Sequence, residues 1–109
     1  MKDHRLIDQR SLAFGRAIAA KLADDPRLIV TARATLVRWL GTCASGTRPT
    51  LEEWLAALDD SPASVIALLT GVDERSTRLR QSNPFAGVLG QQERDAILLR
   101  FESYEKTRA

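Results

Sequence analysis

Cysteine and histidine are scarce in this sequence. Its 109 residues contain one cysteine, Cys43, and one histidine, His4. A single cysteine excludes an internal disulfide, and a zinc site built from Cys and His needs about four such ligands. The sequence therefore predicts neither a disulfide scaffold nor a zinc site, and we expect no metal and no cofactor.

Long apolar runs are also missing. No segment approaches the roughly 20 apolar residues that a transmembrane helix needs, and the charged residues 1–10 lack the apolar centre of a signal peptide. A single free cysteine is typical of a reducing compartment. We therefore expect a cytoplasmic protein with no membrane partner.

The composition is that of one soluble globular domain. Hydrophobic residues make up 44% and charged residues 28% of the chain, which is the usual balance of such a domain. A chain of 109 residues suffices for one domain of ordinary size but not for two. Residues 1–109 are therefore interpreted as a single domain.

Charge is unevenly distributed, although the net charge is only +2. Residues 1–48 carry nine basic and four acidic side chains, residues 49–74 carry six acidic and no basic ones, and residues 75–109 carry seven basic and four acidic. An acidic middle between two basic ends either folds back as ion pairs or presents separate faces to partners of opposite sign. The sequence leaves both arrangements open.

Apolar residues recur at helical spacing along most of the chain, and no run alternates like a strand. This periodicity predicts an all-α fold, a compact bundle of five to six short helices. The expected helices cover residues 5–23, 26–40, 51–58, 62–70, 74–81 and 91–106. Trp39 and Trp54 are expected in the core, and so is a stripe on the last helix formed by Ile97, Phe101 and Tyr104.

Several predicted helices begin with a capping signal. Asp25, Ser61 and Asp73 each stand where a side-chain oxygen can accept a hydrogen bond from the first free N–H groups of the following helix. Thr50 and Glu53 have the spacing of a capping box, in which Glu53 reaches back to the backbone of Thr50. We therefore expect caps at all four positions.

No constellation of residues indicates an enzyme. His4 is the single histidine and lies close to the start of the sequence, whereas a general base needs a well-held position. Cys43 has no neighbouring base that would activate its thiol. The paired carboxylates of the chain lie at predicted helix ends, where capping explains them. We therefore expect a non-enzymatic protein without catalytic residues.

The strongest local feature is a basic helix followed by an irregular loop. Arg75 and Arg78 share one face of the predicted fifth helix, whereas Arg80 lies on another. Leu79 is the only large apolar residue of this helix, so we interpret it as a binding element whose arginines suit carboxylates or phosphates. The predicted partner- or nucleic-acid-binding residues are Arg75, Arg78, Arg80, Gln81, Asn83 and Phe85.

Two structural alternatives stay open for this segment. In the first, the arginines form ion pairs with the acidic residues at 52–60 on the surface of the bundle. In the second, Phe85 folds back as a plug on the core instead of meeting a partner as an aromatic hot spot.

The same region permits a helix-turn-helix interpretation. Ala67 and Gly71 are four residues apart, as the alanine of the first helix and the glycine of the turn would be. The basic fifth helix would then enter the major groove of DNA. Thr77 stands where this motif expects an apolar residue. A DNA-binding transcriptional regulator is therefore the alternative function.

The segment R-x-x-R-L-R-Q-S-N-P-F-A-G-V-L at 75–89, followed by Q-E-R at 92–94, resembles a group of small uncharacterised all-helical bacterial proteins. Residues 10–13 and 38–40 fit the same pattern. The resemblance implies an antitoxin-like role, in which the chain docks on a partner protein encoded nearby, with a nucleotidyltransferase-like toxin as the candidate partner. It implies no catalytic residues. The alanine-rich first helix would allow close approach of a second copy, so a homodimer stays open.

Overall fold

The computed structural model describes the backbone of residues 4–108 and the side chains of residues 7–85 and 87–100. The side chains of Phe101 and Tyr104, predicted in the core, and of His4 lie outside the described residues. Within residues 4–108 all regular structure is helical, so the predicted all-α class is confirmed.

Six α-helices follow one another along the described chain. They are α1 (His4–Asp24), α2 (Leu28–Leu40), α3 (Arg48–Asp60), α4 (Pro62–Thr70), α5 (Glu74–Arg80) and α6 (Gln91–Arg108), with a single 3₁₀ turn at Ala86–Val88 before α6. None of these helices, over the residues described, has the length and apolar character needed to cross a membrane.

Helix α4 lies at the centre of the bundle. It packs against α1, α3 and α5, while α2 packs on α3 and α6 packs on α1. Its buried residues Val65, Leu68 and Leu69 stand at positions i, i+3 and i+4, so they form one apolar stripe that faces the core. The largest fully buried side chains of the core are Trp54, Phe85, Ile18, Leu22, Leu36, Leu51, Leu69, Leu79 and Val65.

The two predicted core tryptophans differ in their burial. Trp54 is fully buried, as expected. Trp39 is half-buried and packs against the core. The expectation of a core position is therefore confirmed for Trp54 and holds in part for Trp39.

Two of the predicted caps are confirmed. Ser61 Oγ accepts a hydrogen bond from the backbone N–H of Ser64 at 3.1 Å, at the start of α4. Asp73 Oδ2 accepts one from the backbone N–H of Ser76 at 3.2 Å, at the start of α5. Each bond satisfies an N–H group that has no partner within its helix.

The cap predicted at Asp25 is wrong, because this residue holds a turn instead. Asp25 Oδ1 accepts hydrogen bonds from the backbone N–H of Arg27 at 3.2 Å and from its Nε at 2.9 Å. Because of this turn, α2 begins at Leu28, two residues later than expected.

The capping box predicted at Thr50 and Glu53 is also wrong. Helix α3 begins at Arg48, so Thr50 already lies inside its first turn. Pro49 provides the fixed φ angle that suits this first turn. Glu53 is consequently one turn further into the helix and reaches across to α5 instead of back to its own backbone.

Helices α1 and α4 come into backbone contact at Gly15. This residue is buried, and a Cβ atom at its position would overlap the carbonyl oxygen of Leu69. Ala19 of α1 is buried as well, and Ala13 and Ala17 are half-buried. The small residues of α1 are thus used in large part for packing within the chain.

Replacing Gly15 with alanine should lower the free energy of unfolding by about 1–3 kcal/mol, because the added methyl group forces two helices apart. Alanine favours a helix over glycine by about 1 kcal/mol. A loss of stability would therefore come from the close contact with Leu69 and not from helix propensity. Urea denaturation measures the effect.

Gly46→Ala provides the matched control, because a Cβ at Gly46 meets nothing within 4 Å. That variant should be unchanged or more stable by about 0.4–1 kcal/mol. Equal effects of the two substitutions would contradict the close contact at Gly15.

Candidate functional site

Arg75 and Arg78 lie on the exposed face of α5 and share one carboxylate. Arg78 Nη1 donates to Glu53 Oε2 at 2.9 Å, and its Nη2 donates to Oε1 at 3.4 Å. Arg75 Nε lies 3.6 Å from the same Oε1. Both arginine side chains are about half exposed, at 54% and 49%. The alternative in which the arginines pair with the acidic residues at 52–60 is therefore confirmed for these two arginines.

The arrangement of the two arginines shifts the pKa of the shared carboxylate. The hydrogen bond from Arg78 holds the pKa of Glu53 below its usual range, although partial loss of hydration opposes the shift. The same bond raises the pKa of Arg78. Since all three groups remain in contact with water, the ion pairs add little to stability and can exchange with charged groups of another molecule.

Arg80 is buried and stabilises the fold. Only 5% of this residue is exposed. Its Nη1 donates to the carbonyl oxygens of Leu68 at 2.8 Å and Gly71 at 2.6 Å, and its Nε donates to Ser11 Oγ at 3.1 Å. The carbonyls at the C-terminal end of α4 lack helical partners and attract a cation. Burial lowers the pKa of Arg80.

The prediction that Arg80 belongs to a partner interface is corrected accordingly. Its shorter hydrogen bonds are made to α1, to the end of α4 and to the residue that follows α4, and its Nη2 contacts Thr77 of α5 at 3.5 Å. A partner that contacts the outer face of α5 would not reach these donors.

Phe85 is also part of the core. It is fully buried, and its ring meets the ring of Trp54 edge-on with centroids 6.2 Å apart. Asn83 Oδ1 accepts a hydrogen bond from the backbone N–H of Phe85 at 2.8 Å, which turns the loop inward. The alternative in which Phe85 plugs the core is thus confirmed, and the expected contact between Phe85 and a partner is corrected.

The outer face of α5 keeps three of the six predicted binding residues together. Gln81 is exposed directly after the helix and adjoins Arg78 at helical spacing. We call the group of Arg75, Arg78 and Gln81 the α5 surface.

Sequence reasoning missed the role of Glu53. The capping-box spacing gave a local explanation for this residue, whereas the structure makes it the carboxylate that orients two arginines. The signal for this role was the acidic block at 49–74 directly before the basic segment. It indicated ion pairing but did not indicate which acidic residue would face α5.

Neither a similar protein nor a group of metal-binding side chains among the described residues identifies the function of this site. No protein family, curated protein or solved structure matches this chain. Among the residues whose side chains are described, no group of three or more His, Cys, Asp or Glu residues is placed to hold a metal ion. Cys43 is half-buried in the loop after α2, and its thiol lies 3.9 Å from the carbonyl oxygen of Leu40. The site is therefore interpreted from its own geometry.

Arg80→Met should lower the free energy of unfolding by about 1.5–3 kcal/mol, because two carbonyls and a hydroxyl lose charge-assisted hydrogen bonds while the apolar stem is retained. Arg78→Met is the matched control on the same helix and should leave stability nearly unchanged. Urea denaturation at neutral pH compares the two. Similar losses in both variants would show that Arg80 has no special structural role.

Arg78→Gln should raise the pKa of Glu53 toward the ordinary value of about 4.3, since the hydrogen bond that favours the carboxylate is lost. The folded-state pKa is depressed, so the stabilisation from Glu53 is present at neutral pH and is lost as the pH falls through that depressed pKa. NMR titration of the Glu53 carboxyl group measures the shift. Arg33→Gln, which removes a partner of Asp59, should leave the titration of Glu53 unchanged.

Proposed function

We propose that this protein is a non-enzymatic, antitoxin-like binding module that docks on a protein partner through the α5 surface. The observation that supports this most directly is the arrangement of two half-exposed arginines around one carboxylate. Arg75 is held more loosely than Arg78, since its Nε lies 3.6 Å from Glu53 Oε1 and its side chain is 54% exposed. Its guanidinium group is therefore accessible to carboxylates of a partner.

The arginines are also oriented before binding. Glu53 holds Arg78 through two hydrogen bonds, so a partner does not have to order that long side chain from a free state. Because exposed ion pairs are weak, a partner's carboxylates can add to or replace the contact with Glu53 at small cost. The α5 surface therefore fits an acidic patch on another protein.

The acidic neighbours of the α5 surface favour a protein over DNA. Glu53 lies between the two arginines, and the exposed Glu74 lies on the same helix. These carboxylates would repel the phosphates of DNA, whereas a protein surface can match both signs of charge. The partner that the sequence resemblance implies is a nucleotidyltransferase-like toxin, and it is the candidate for this docking.

One observation favours the alternative, a helix-turn-helix DNA-binding regulator. Helices α4 and α5 are joined by three residues, and the turn leaves no room for a side chain at Gly71, where a Cβ would lie 2.5 Å from Ser76 Oγ. A tight, glycine-dependent turn is typical of that motif. In this alternative the arginines of α5 would contact phosphates or bases in the major groove.

Arg75→Glu/Arg78→Glu should abolish docking while leaving helicity and melting temperature nearly unchanged, because the substitutions reverse charge on an exposed face. The test captures tagged protein from a lysate of its own host, with and without nuclease, and determines stoichiometry by native mass spectrometry. Arg33→Glu/Arg38→Glu is the matched control, because it makes the same charge change on exposed positions of α2, one of them also paired with a carboxylate.

The outcomes separate the two functions. A stoichiometric protein complex that survives nuclease, is lost in the α5 variant and is kept in the α2 variant supports docking. Recovery of nucleic acid that falls steeply with salt supports the regulator and overturns docking. Circular dichroism completes the test, since unfolding of the α5 variant would show that these arginines are structural.

A further inference from the structure

A cleft of about 240 Å³ lies between α1, the end of α5 and the beginning of α6. Phe14 and Ile18 of α1 and Leu89 before α6 provide its apolar lining, and Arg80 and Arg94 provide its cations. We call it the arginine cleft. Most of its surface is apolar. Gln81 of the α5 surface also lines the cleft, but Arg75 and Arg78, on which the docking proposal rests, do not.

Arg80 gives the cleft a fixed positive charge. Its Nη1 and Nε are held by the end of α4 and by Ser11, as described above. Its Nη2 reaches only Thr77 Oγ1, at 3.5 Å, which is the outer limit of a hydrogen bond. Among the described side chains, no carboxylate lies within ion-pair distance of this guanidinium. Asp73 and Asp8 act on this guanidinium from beyond that distance, and Arg16 opposes them. An anion at hydrogen-bond distance would therefore stabilise the buried charge.

Arg94 provides a second, movable positive charge. It is exposed on α6 and forms no ion pair with a described carboxylate. The neighbouring Glu93 is engaged elsewhere, because its Oε1 lies 2.6 Å from Lys21 Nζ and accepts a hydrogen bond from the backbone N–H of Gly90 at 3.0 Å. Because Glu93 is bound to these other groups, it does not hold Arg94, whose long side chain is flexible.

We propose that the arginine cleft binds a monocarboxylate attached to a small apolar group. The carboxylate lies between Arg80 and Arg94, and the apolar group packs against Phe14, which is partly exposed, whereas Ile18 and Leu89 are buried. Charge-assisted hydrogen bonds from arginine suit the planar carboxylate. A mostly apolar lining disfavours inorganic phosphate and nucleotides, whose hydrated oxygens would lose water without new partners.

The size of the cleft limits the ligand. Pockets for drug-sized molecules measure roughly 300–1,000 Å³, and this cleft is smaller. Two sources offer the required chemistry, namely a free short-chain or aromatic acid and the C-terminal residue of a polypeptide that ends in an apolar side chain. Both present one carboxylate directly beside one apolar group.

The test titrates the full-length protein with named probes and follows backbone amide resonances by NMR. The free acids are hexanoate and phenylacetate. The peptide probes are a pentapeptide that ends in leucine with a free carboxylate and the same peptide as its amide. Inorganic phosphate is the probe for a purely ionic site. We expect at least one carboxylate probe to shift the resonances of residues 11–18 and 89–94.

Arg94→Gln should weaken that binding by about tenfold, which is the effect of losing one charge-assisted interaction of about 1.4 kcal/mol. Arg94 is exposed, so the variant should fold normally, and a retained melting temperature checks this. Arg38→Gln is the control, because it removes an exposed arginine from α2, away from the cleft. It should bind the probes with the affinity of the unmodified protein.

Each result decides the proposal. Binding of a free acid but not of the peptide identifies a small acid as the ligand, and binding of the peptide acid but not its amide identifies a chain terminus. The proposal is overturned if no carboxylate probe binds, if the amide binds as well as the acid, or if phosphate binds more tightly. It is also overturned if Arg94→Gln and Arg38→Gln have equal effects. The docking experiment above does not depend on any of these results.

Discussion

The guanidinium group of Arg80 connects three helices of this bundle. It starts from the last residue of α5, binds two carbonyl oxygens at the end of α4 and reaches Ser11 in α1. Hydrophobic contact brings these helices together, but it does not fix how they slide or rotate against one another. The directional bonds of one planar group provide that constraint, because moving any of the three helices would leave a buried donor or acceptor without a partner.

This constraint also separates the two roles of the basic segment. On a helix of seven residues, the inward face carries Ser76, Leu79 and Arg80, and the outward face carries Arg75 and Arg78. The inward residues hold α5 in place. Glu53 alone can therefore orient the outward arginines without any loss of the fold. A short helix with one structural and two exposed arginines can therefore present charge to a partner while remaining part of the core.

Much of the fold could be predicted from the sequence, because helix periodicity and caps such as Ser61 and Asp73 are local. The start of α3 could not, since Thr50 and Glu53 satisfy the local rule for a capping box and only the position of α5 shows that Glu53 has another partner. Arg80 was assigned to an interface for a similar reason. The sequence placed Arg80 on a different face of α5 from Arg75 and Arg78, but it did not show that the carbonyls at the end of α4 would accept its hydrogen bonds. Ion pairs and buried hydrogen bonds between distant segments are fixed by tertiary packing, which no local pattern encodes.

The contact between Trp54 and Phe85 has a consequence for the order in which the protein assembles. Phe85 closes the core from a position far along the chain, and the tie from Arg80 to Ser11 spans 69 residues. As the chain leaves the ribosome, the segment up to the end of α4 lacks both the aromatic plug and the group that binds the end of that helix. The central core is therefore complete only when the loop after α5 has been synthesised. Such long-range closure favours folding of α1 to α5 as one cooperative unit rather than helix by helix.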